Sequence, residues 1–161
     1  MRRKAYRATR VKDEELARLT ADKAGEPVSV GIDMGKHSFY AVCRWTDGTF
    51  ERPWKIDNPG DILGFVELLE RLGQGRKRQV AMESSGTYGD ALRQALADAG
   101  IELQRVSGKA AHDYAVIFDG VPSQHDGKDA AVVAELAALG KSVEWKYRPA
   151  ADWDQEVAYW V

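Results

Sequence analysis

Four carboxylates occupy positions where the surrounding pattern asks for a core or a turn residue. Asp33 closes the apolar run Val28-Ser29-Val30-Gly31-Ile32-Asp33, and Glu83 closes Gln79-Val80-Ala81-Met82-Glu83. Asp126 and Asp129 open the segment His125-Asp126-Gly127-Lys128-Asp129-Ala130. At a spacing of three they are neighbours on one helix face, and Val133 and Leu136 continue from Asp129 at i+4 and i+7, so that face is expected to point at the core. Carboxylates brought together repel one another, and unless protonated they need a cation. Mg²⁺, or Mn²⁺ in its place, takes hard oxygen ligands and keeps waters for a phosphate substrate. Two such ions about 3.5–4 Å apart would stabilise the attacking and leaving oxygens of a phosphodiester displacement. Each carboxylate also has a plain structural reading. Asp33 can be a turn residue, Asp126 a helix N-cap with Asp129 favoured by the helix dipole, and Glu83 a solvated group before Ser84-Ser85-Gly86. It is the order of all four along the chain that favours a shared site.

The elements needed to bring them together are legible. Val28–Asp33 reads as a buried strand between Pro27 and a glycine-containing turn. His37–Trp45 alternates loosely, Asp47-Gly48 is a hairpin turn, and Thr49–Ile56 returns as a third strand. Asn58-Pro59-Gly60-Asp61 opens a helix with the stripe Ile62, Phe65, Val66, Leu68, Leu69 and Leu72, stopped by Gly73. The fourth strand is Gln79–Glu83. Thr87 and Asp90 form a capping box for a helix that ends at Gly100, and Ile101–Val106 is a fifth strand. A loop-rich stretch follows Ser107-Gly108, then a helix from about Asp126 to Leu139 with Gly140 as its stop. The order β-β-β-α-β-α-β followed by helix predicts an α/β fold, a ribonuclease H-like mixed sheet with flanking helices. In such a sheet the ends of the first and fourth strands lie side by side, and a C-terminal helix crosses them.

Composition sets the outer limits. The 161 residues suit one domain, divided as a basic, poorly packed N-terminal arm at 1–26 with a helix-like stretch from Asp13 to Lys23, the carboxylate-bearing domain at 27–140 and an aromatic-rich tail at 141–161. Hydrophobic residues at 44% and charged residues at 30% exclude wholesale disorder. No apolar run approaches the roughly 18 residues of a membrane-spanning helix, so no membrane partner is expected. Met1-Arg2-Arg3-Lys4 has no apolar stretch behind it, so no secretory signal is read. The one cysteine, Cys43, fits a reducing cytosol and reads as a buried strand residue. Lys+Arg 23 against Asp+Glu 25 excludes binding to nucleic acid through net positive charge alone. The balance nonetheless conceals basic patches at Arg2–Lys12 and Arg76–Arg78.

Gly31-Ile32-Asp33-Met34-Gly35-Lys36, Met82-Glu83-Ser84-Ser85-Gly86-Thr87-Tyr88 and Asp126-Gly127-Lys128-Asp129-Ala130 together resemble the three signatures of the DEDD-type insertion-sequence transposases. The resemblance covers about residues 28–140. It implies a RuvC-like domain in which Asp33, Glu83, Asp126 and Asp129 bind Mg²⁺ and act in DNA strand cleavage and exchange. It also implies a structured guide (bridge) RNA, a homo-oligomeric full-length enzyme, a prokaryotic cytoplasmic setting, and a C-terminal domain with a catalytic serine. That domain is absent from these residues, so the chain is expected to be the N-terminal part of a transposase. Two departures stand out: His125 replaces the usual Thr before the paired aspartates, and Ser84 replaces the usual Thr after the glutamate. Ser84 and Ser85 have no base beside them and are not read as nucleophiles.

Lys36, Arg76, Lys77, Arg78 and Lys128 are the candidate nucleic-acid contacts, each equally readable as a charge balancing its surroundings. His37, His112 and His125 lack metal-ligand spacing, and only His125 is a candidate for proton transfer, beside Asp126. Gly31–Lys36 also resembles the first phosphate loop of the actin and sugar-kinase fold, but that reading requires a second Asp-Gly-Gly loop, which the chain lacks. Trp153, Val157 and Trp160 at i, i+4, i+7 suggest a face for the missing segment or another subunit. The competing reading is a non-catalytic nucleic-acid-binding or assembly module.

Overall fold

A computed structural model describes residues 13–84, 88–118 and 127–147. In chain order the elements are α1 (Asp13–Asp22), β1 (Val28–Met34), β2 (Ser38–Trp45), β3 (Trp54–Asp57), α2 (Ile62–Leu72), β4 (Arg78–Glu83), α3 (Asp90–Asp98), β5 (Gln104–Val106), α4 (Gly108–Ala115), α5 (Lys128–Ala138) and β6 (Val143–Glu144). The strands form one sheet in the order β3-β2-β1-β4-β5-β6. Hairpin-linked β1, β2 and β3 pair antiparallel, whereas β1 with β4 and β4 with β5 pair parallel. Parallel neighbours need a crossover, and α2 and α3 supply the two. The fold is the mixed α/β ribonuclease H-like arrangement expected from the order of elements.

Side-chain alternation divides the core between the two faces of the sheet. Val30, Ile32, Val80 and Met82 face Phe65, Leu69 and Leu72 of α2 and Leu92 and Leu96 of α3. On the other face Val42, Ala81 and Val106 pack with Ala130, Val133 and Leu136 of α5. Gly31 is what lets α5 lie so close. A Cβ at this position would stand 2.0 Å from the Ala130 carbonyl oxygen and 2.4 Å from the Ala134 nitrogen. Arg44 on β2 fastens the same helix through Glu135, whose other oxygen accepts the Tyr114 hydroxyl of α4 at 3.2 Å.

Several expectations are corrected. The helix-like stretch from Asp13 forms as α1, but it is not poorly packed: Leu16 and Leu19 are buried in the core. Their spacing of three is helical, and two leucines suffice to anchor a short helix. The third strand does not begin at Thr49. The Asp47-Gly48 turn forms, with Gly48 at φ 87° and the Thr49 N–H and hydroxyl donating to Asp47 Oδ1 at 2.9 and 2.6 Å. Beyond it only the Arg44↔Phe50 bridge pairs before β3 begins at Trp54. Pro53 has no N–H to give, and the register moves by one residue across it, a bulge. Of the stretch after Ser107, Gly108–Ala115 is helical rather than loop-like, and residues 119–126 lie outside the described residues. Residues 101–103 are not part of β5, and β6 adds to the sheet from within the tail. Gly89, not Thr87, stands at the N-cap of α3, with no side-chain cap bond; Thr87 lies outside the described residues.

Candidate carboxylate site

The parallel register of β1 and β4 ends at Ile32↔Met82. Asp33 and Glu83 are the next residues in each strand, level with each other and on the sheet face shared by Gly31 and Ala81, which α5 covers. Asp129 lies in the first turn of α5. The entry to that helix is set by Gly127, at φ 78°, where a Cβ would stand 2.5 Å from the Pro53 ring. Three elements distant in sequence are thereby brought to one end of the sheet.

The electrostatics record the convergence. The half-buried Asp33 carboxyl is pushed up to about 6 from 3.8, first by burial, then by the negative charge of Asp129 and then by that of Glu83. Asp33 therefore holds a proton more readily than an ordinary aspartate, because its charged form is desolvated and meets two like charges. Among the described residues no group of three or more His, Cys, Asp or Glu side chains is arranged to hold a metal ion. Asp126 and His125 lie outside the described residues. The donor set is nonetheless of hard carboxylate oxygens, which suits Mg²⁺ or Mn²⁺ and not a soft ion.

Glu83 is shaped from a direction the sequence reading missed. Ser107 caps α4, its hydroxyl accepting from the Ala110 N–H at 3.3 Å. A Cβ on Gly108 would lie 2.8 Å from Glu83 Oε1, so the carboxylate rests against the first turn of α4, where the helix dipole is positive. Serine as an N-cap was the available signal, obscured by the glycine beside it.

A second unanticipated residue, Asn58, joins the loops that leave the two strands. Its side-chain Nδ2 donates to the Gly35 carbonyl and to the Tyr88 carbonyl, both at 3.0 Å, and its backbone N–H donates to the His37 carbonyl at 2.9 Å.

The basic candidates separate into two groups. Lys36 is exposed just beyond Asp33, and the half-buried Lys128 precedes Asp129. Arg76, Lys77 and Arg78 are at the start of β4, roughly 17 Å along the strand from Glu83. Arg76 Nη1 donates to the Lys23 and Glu26 carbonyls at 2.7 and 2.9 Å, and its guanidinium lies 5.3 Å over the Trp45 ring. Arg78 Nη1 donates to the Leu69 carbonyl at 2.6 Å, and burial draws its pKa down. Lys77 is exposed. Cys43 is buried, which pushes its thiol far above the ordinary range, so it is inert.

The transposase family DEDD_Tnp_IS110 matches residues 30–153. Among solved structures, T. thermophilus RuvC in complex with a Holliday junction substrate is similar at a TM-score of 0.51 and 16% identity, over 73% of this chain and 99% of that one. At that identity the likeness is one of fold. The ethanolamine utilization protein EutJ from Carboxydothermus hydrogenoformans aligns at a TM-score of 0.40 and 21% identity, over 57% of this chain and 41% of that one. No curated protein matches the chain. Among the described residues no helix is long and apolar enough to cross a membrane.

Proposed function

Because the chain belongs to the DEDD_Tnp_IS110 transposase family, we propose that it is the DNA strand-cleaving and strand-exchanging domain of such an enzyme, with Asp33, Glu83, Asp126 and Asp129 as its catalytic carboxylates. The observation that carries this reading is the raised Asp33 carboxyl, which meets the charges of both Asp129 and Glu83 at the ends of β1, β4 and α5. Asp33 and Glu83 project from rigid strands, so their spacing is fixed by the β1–β4 register rather than by a loop. Asp129 comes from a helix seated against Gly31, so its height above the sheet is fixed by backbone contact. These oxygens would hold Mg²⁺ or Mn²⁺, which when bound supplies Lewis-acid stabilisation of charge on the phosphate oxygens. Lys36 and Lys128, beside the carboxylates, would offset the negative charge of an approaching DNA backbone.

The finer parts of the reading rest on the family alone: a structured guide RNA, a homo-oligomeric enzyme, a C-terminal serine domain and a prokaryotic cytoplasmic location. Calorimetric titration of Mn²⁺ into the wild type and Asp33→Ala tests the site. Loss of at least tenfold in affinity is expected, and equal affinity would sink the metal-site assignment. Incubating the chain with branched and duplex DNA plus Mg²⁺ tests the chemistry. Binding with no strand cleavage would favour a non-catalytic nucleic-acid-binding or assembly module instead.

A further inference from the structure

A groove runs between α2 and α3, on the sheet face opposite to the one that α5 covers. It is therefore remote from the carboxylate site. Its floor is apolar, with Val66 buried, Ala95 half-buried and Leu63 left 76% exposed. Its rim carries the exposed Glu67 and Glu70 of α2 and Asp98 of α3, and no Lys or Arg lines it. Glu67 and Glu70 stand three apart on one helix, where like charges repel. Glu70 also lies in the field of Arg78, whose Nη1 donates to the Leu69 carbonyl. An apolar floor with a rim of one sign fits a basic segment that has some apolar surface of its own to cover.

We propose that this groove is the seat of the chain's own basic arm, residues 1–12. The arm carries Arg2, Arg3, Lys4, Arg7, Arg10 and Lys12 and no acidic side chain, with Tyr6 and Val11 as apolar surface. It is joined to α1, whose Leu16 and Leu19 enter the same apolar cluster as Leu69 of α2 and Leu96 of α3. The arm therefore starts on the groove's side of the sheet. Its length spans roughly 40 Å when extended, about the width of a domain of this size. A tether of this kind gives a roughly millimolar effective concentration, so weak contacts suffice. Other occupants carry the wrong charge. Residues 148–161 hold Asp152, Asp154 and Glu156 against Arg148 alone. A second copy of the groove would set one acidic rim against another, and a nucleic-acid backbone is repelled. Exposed ion pairs are weak and screened by salt, so ionic strength opens the latch. Occupancy of the groove is independent of the transposase reading.

The experiment treats the full chain at low salt with a water-soluble carbodiimide, which joins an amine to a carboxylate only where the two touch. Peptide mass spectrometry then reads the products. Lys109 and Asp113, 2.9 Å apart on α4, provide the internal standard that reports both the reagent and the fold. Lys4 or Lys12 is expected to be joined to Glu67, Glu70 or Asp98. In a mixture of isotope-labelled and unlabelled protein, both partners should come from the same chain. Raising NaCl from about 0.05 to 0.5 M should lower the yield, relative to the standard, by about fivefold or more. The triple variant Arg3→Gln, Arg7→Gln, Arg10→Gln should do the same at low salt, although it removes no reacting group. Arg3→Lys, Arg7→Lys, Arg10→Lys should keep the yield. The proposal is overturned if the standard forms and no groove product does, or if the glutamine variant gives the wild-type yield. Products found only between labelled and unlabelled chains would also overturn it, and would assign the groove to the arm of a second copy.

Discussion

Asp33 carries a proton at a pH where an unperturbed aspartate has lost it, and this has a measurable consequence. The folded-state pKa is about 6 against an ordinary 3.8, so between those values the folded chain binds more protons than the unfolded one. Stability from this group is fully present below about pH 4 and is lost as pH rises through about 6. Two units correspond to about 3 kcal/mol in full, but this carboxyl is more than a third open to solvent, and screening reduces the effect to about 1 kcal/mol. Asp33→Asn, with chelator present, is therefore expected to raise the unfolding free energy by about 1 kcal/mol at pH 7 and to leave it unchanged at pH 3.5. Urea denaturation at the two pH values checks this; an equal change at both would refute it. A gain in stability on losing a carboxylate is what a functional group held against its own preference produces. That Asp33 closes a buried strand was legible in the sequence. That Glu83 lies against Gly108, and that Asn58 ties two loops together, was not, because both relations join residues more than 20 positions apart in sequence.

At the scale of elements, α5 against β1 is the contact that brings Asp129 to Asp33. Gly31→Ala would drive a methyl into the Ala130 and Ala134 backbone, and backbone cannot rotate aside as a side chain does. A loss of about 3 kcal/mol or more is expected, together with weaker Mn²⁺ binding as α5 is displaced. Gly64 is the counter-case: it sits inside α2 with nothing within 4 Å of its Cβ position. Gly64→Ala should stabilise the chain by about 0.5–1 kcal/mol through helix propensity. Thermal and urea melts of the pair decide both, and a harmless Gly31→Ala would mean that the close approach is not what seats the helix. Periodicity located α2 and α3 because an amphipathic helix writes its one buried face into the chain. It could not reveal α4, whose only buried position on the helix itself is Ala111, nor the two-residue β6, which is too short to carry a period.

For the molecule as a whole, the balance of 23 basic and 25 acidic residues says little until the charges are placed. Lys36 and Lys128 stand at the carboxylate end, whereas Arg76 and Arg78 each direct Nη1 to backbone carbonyls at the other end. In a plot of log affinity for branched DNA against log salt, Lys36→Ala and Lys128→Ala should each reduce the slope by about 0.9. Arg76→Ala should leave the slope unchanged and lower the unfolding free energy by about 2 kcal/mol. A reduced slope in Arg76→Ala would return that end of the sheet to the nucleic-acid surface. The sequence by itself determined the order of elements, the strand-end positions of Asp33 and Glu83, the helix-start position of Asp129 and the family signatures, because alternation, capping and turn chemistry act between near neighbours. Which strands lie side by side, how closely a helix crosses a glycine, and which charges share one field were decided only by the tertiary structure. Burial and Coulomb forces act through space, and no spacing along the chain encodes the distance between Asp33, Glu83 and Asp129.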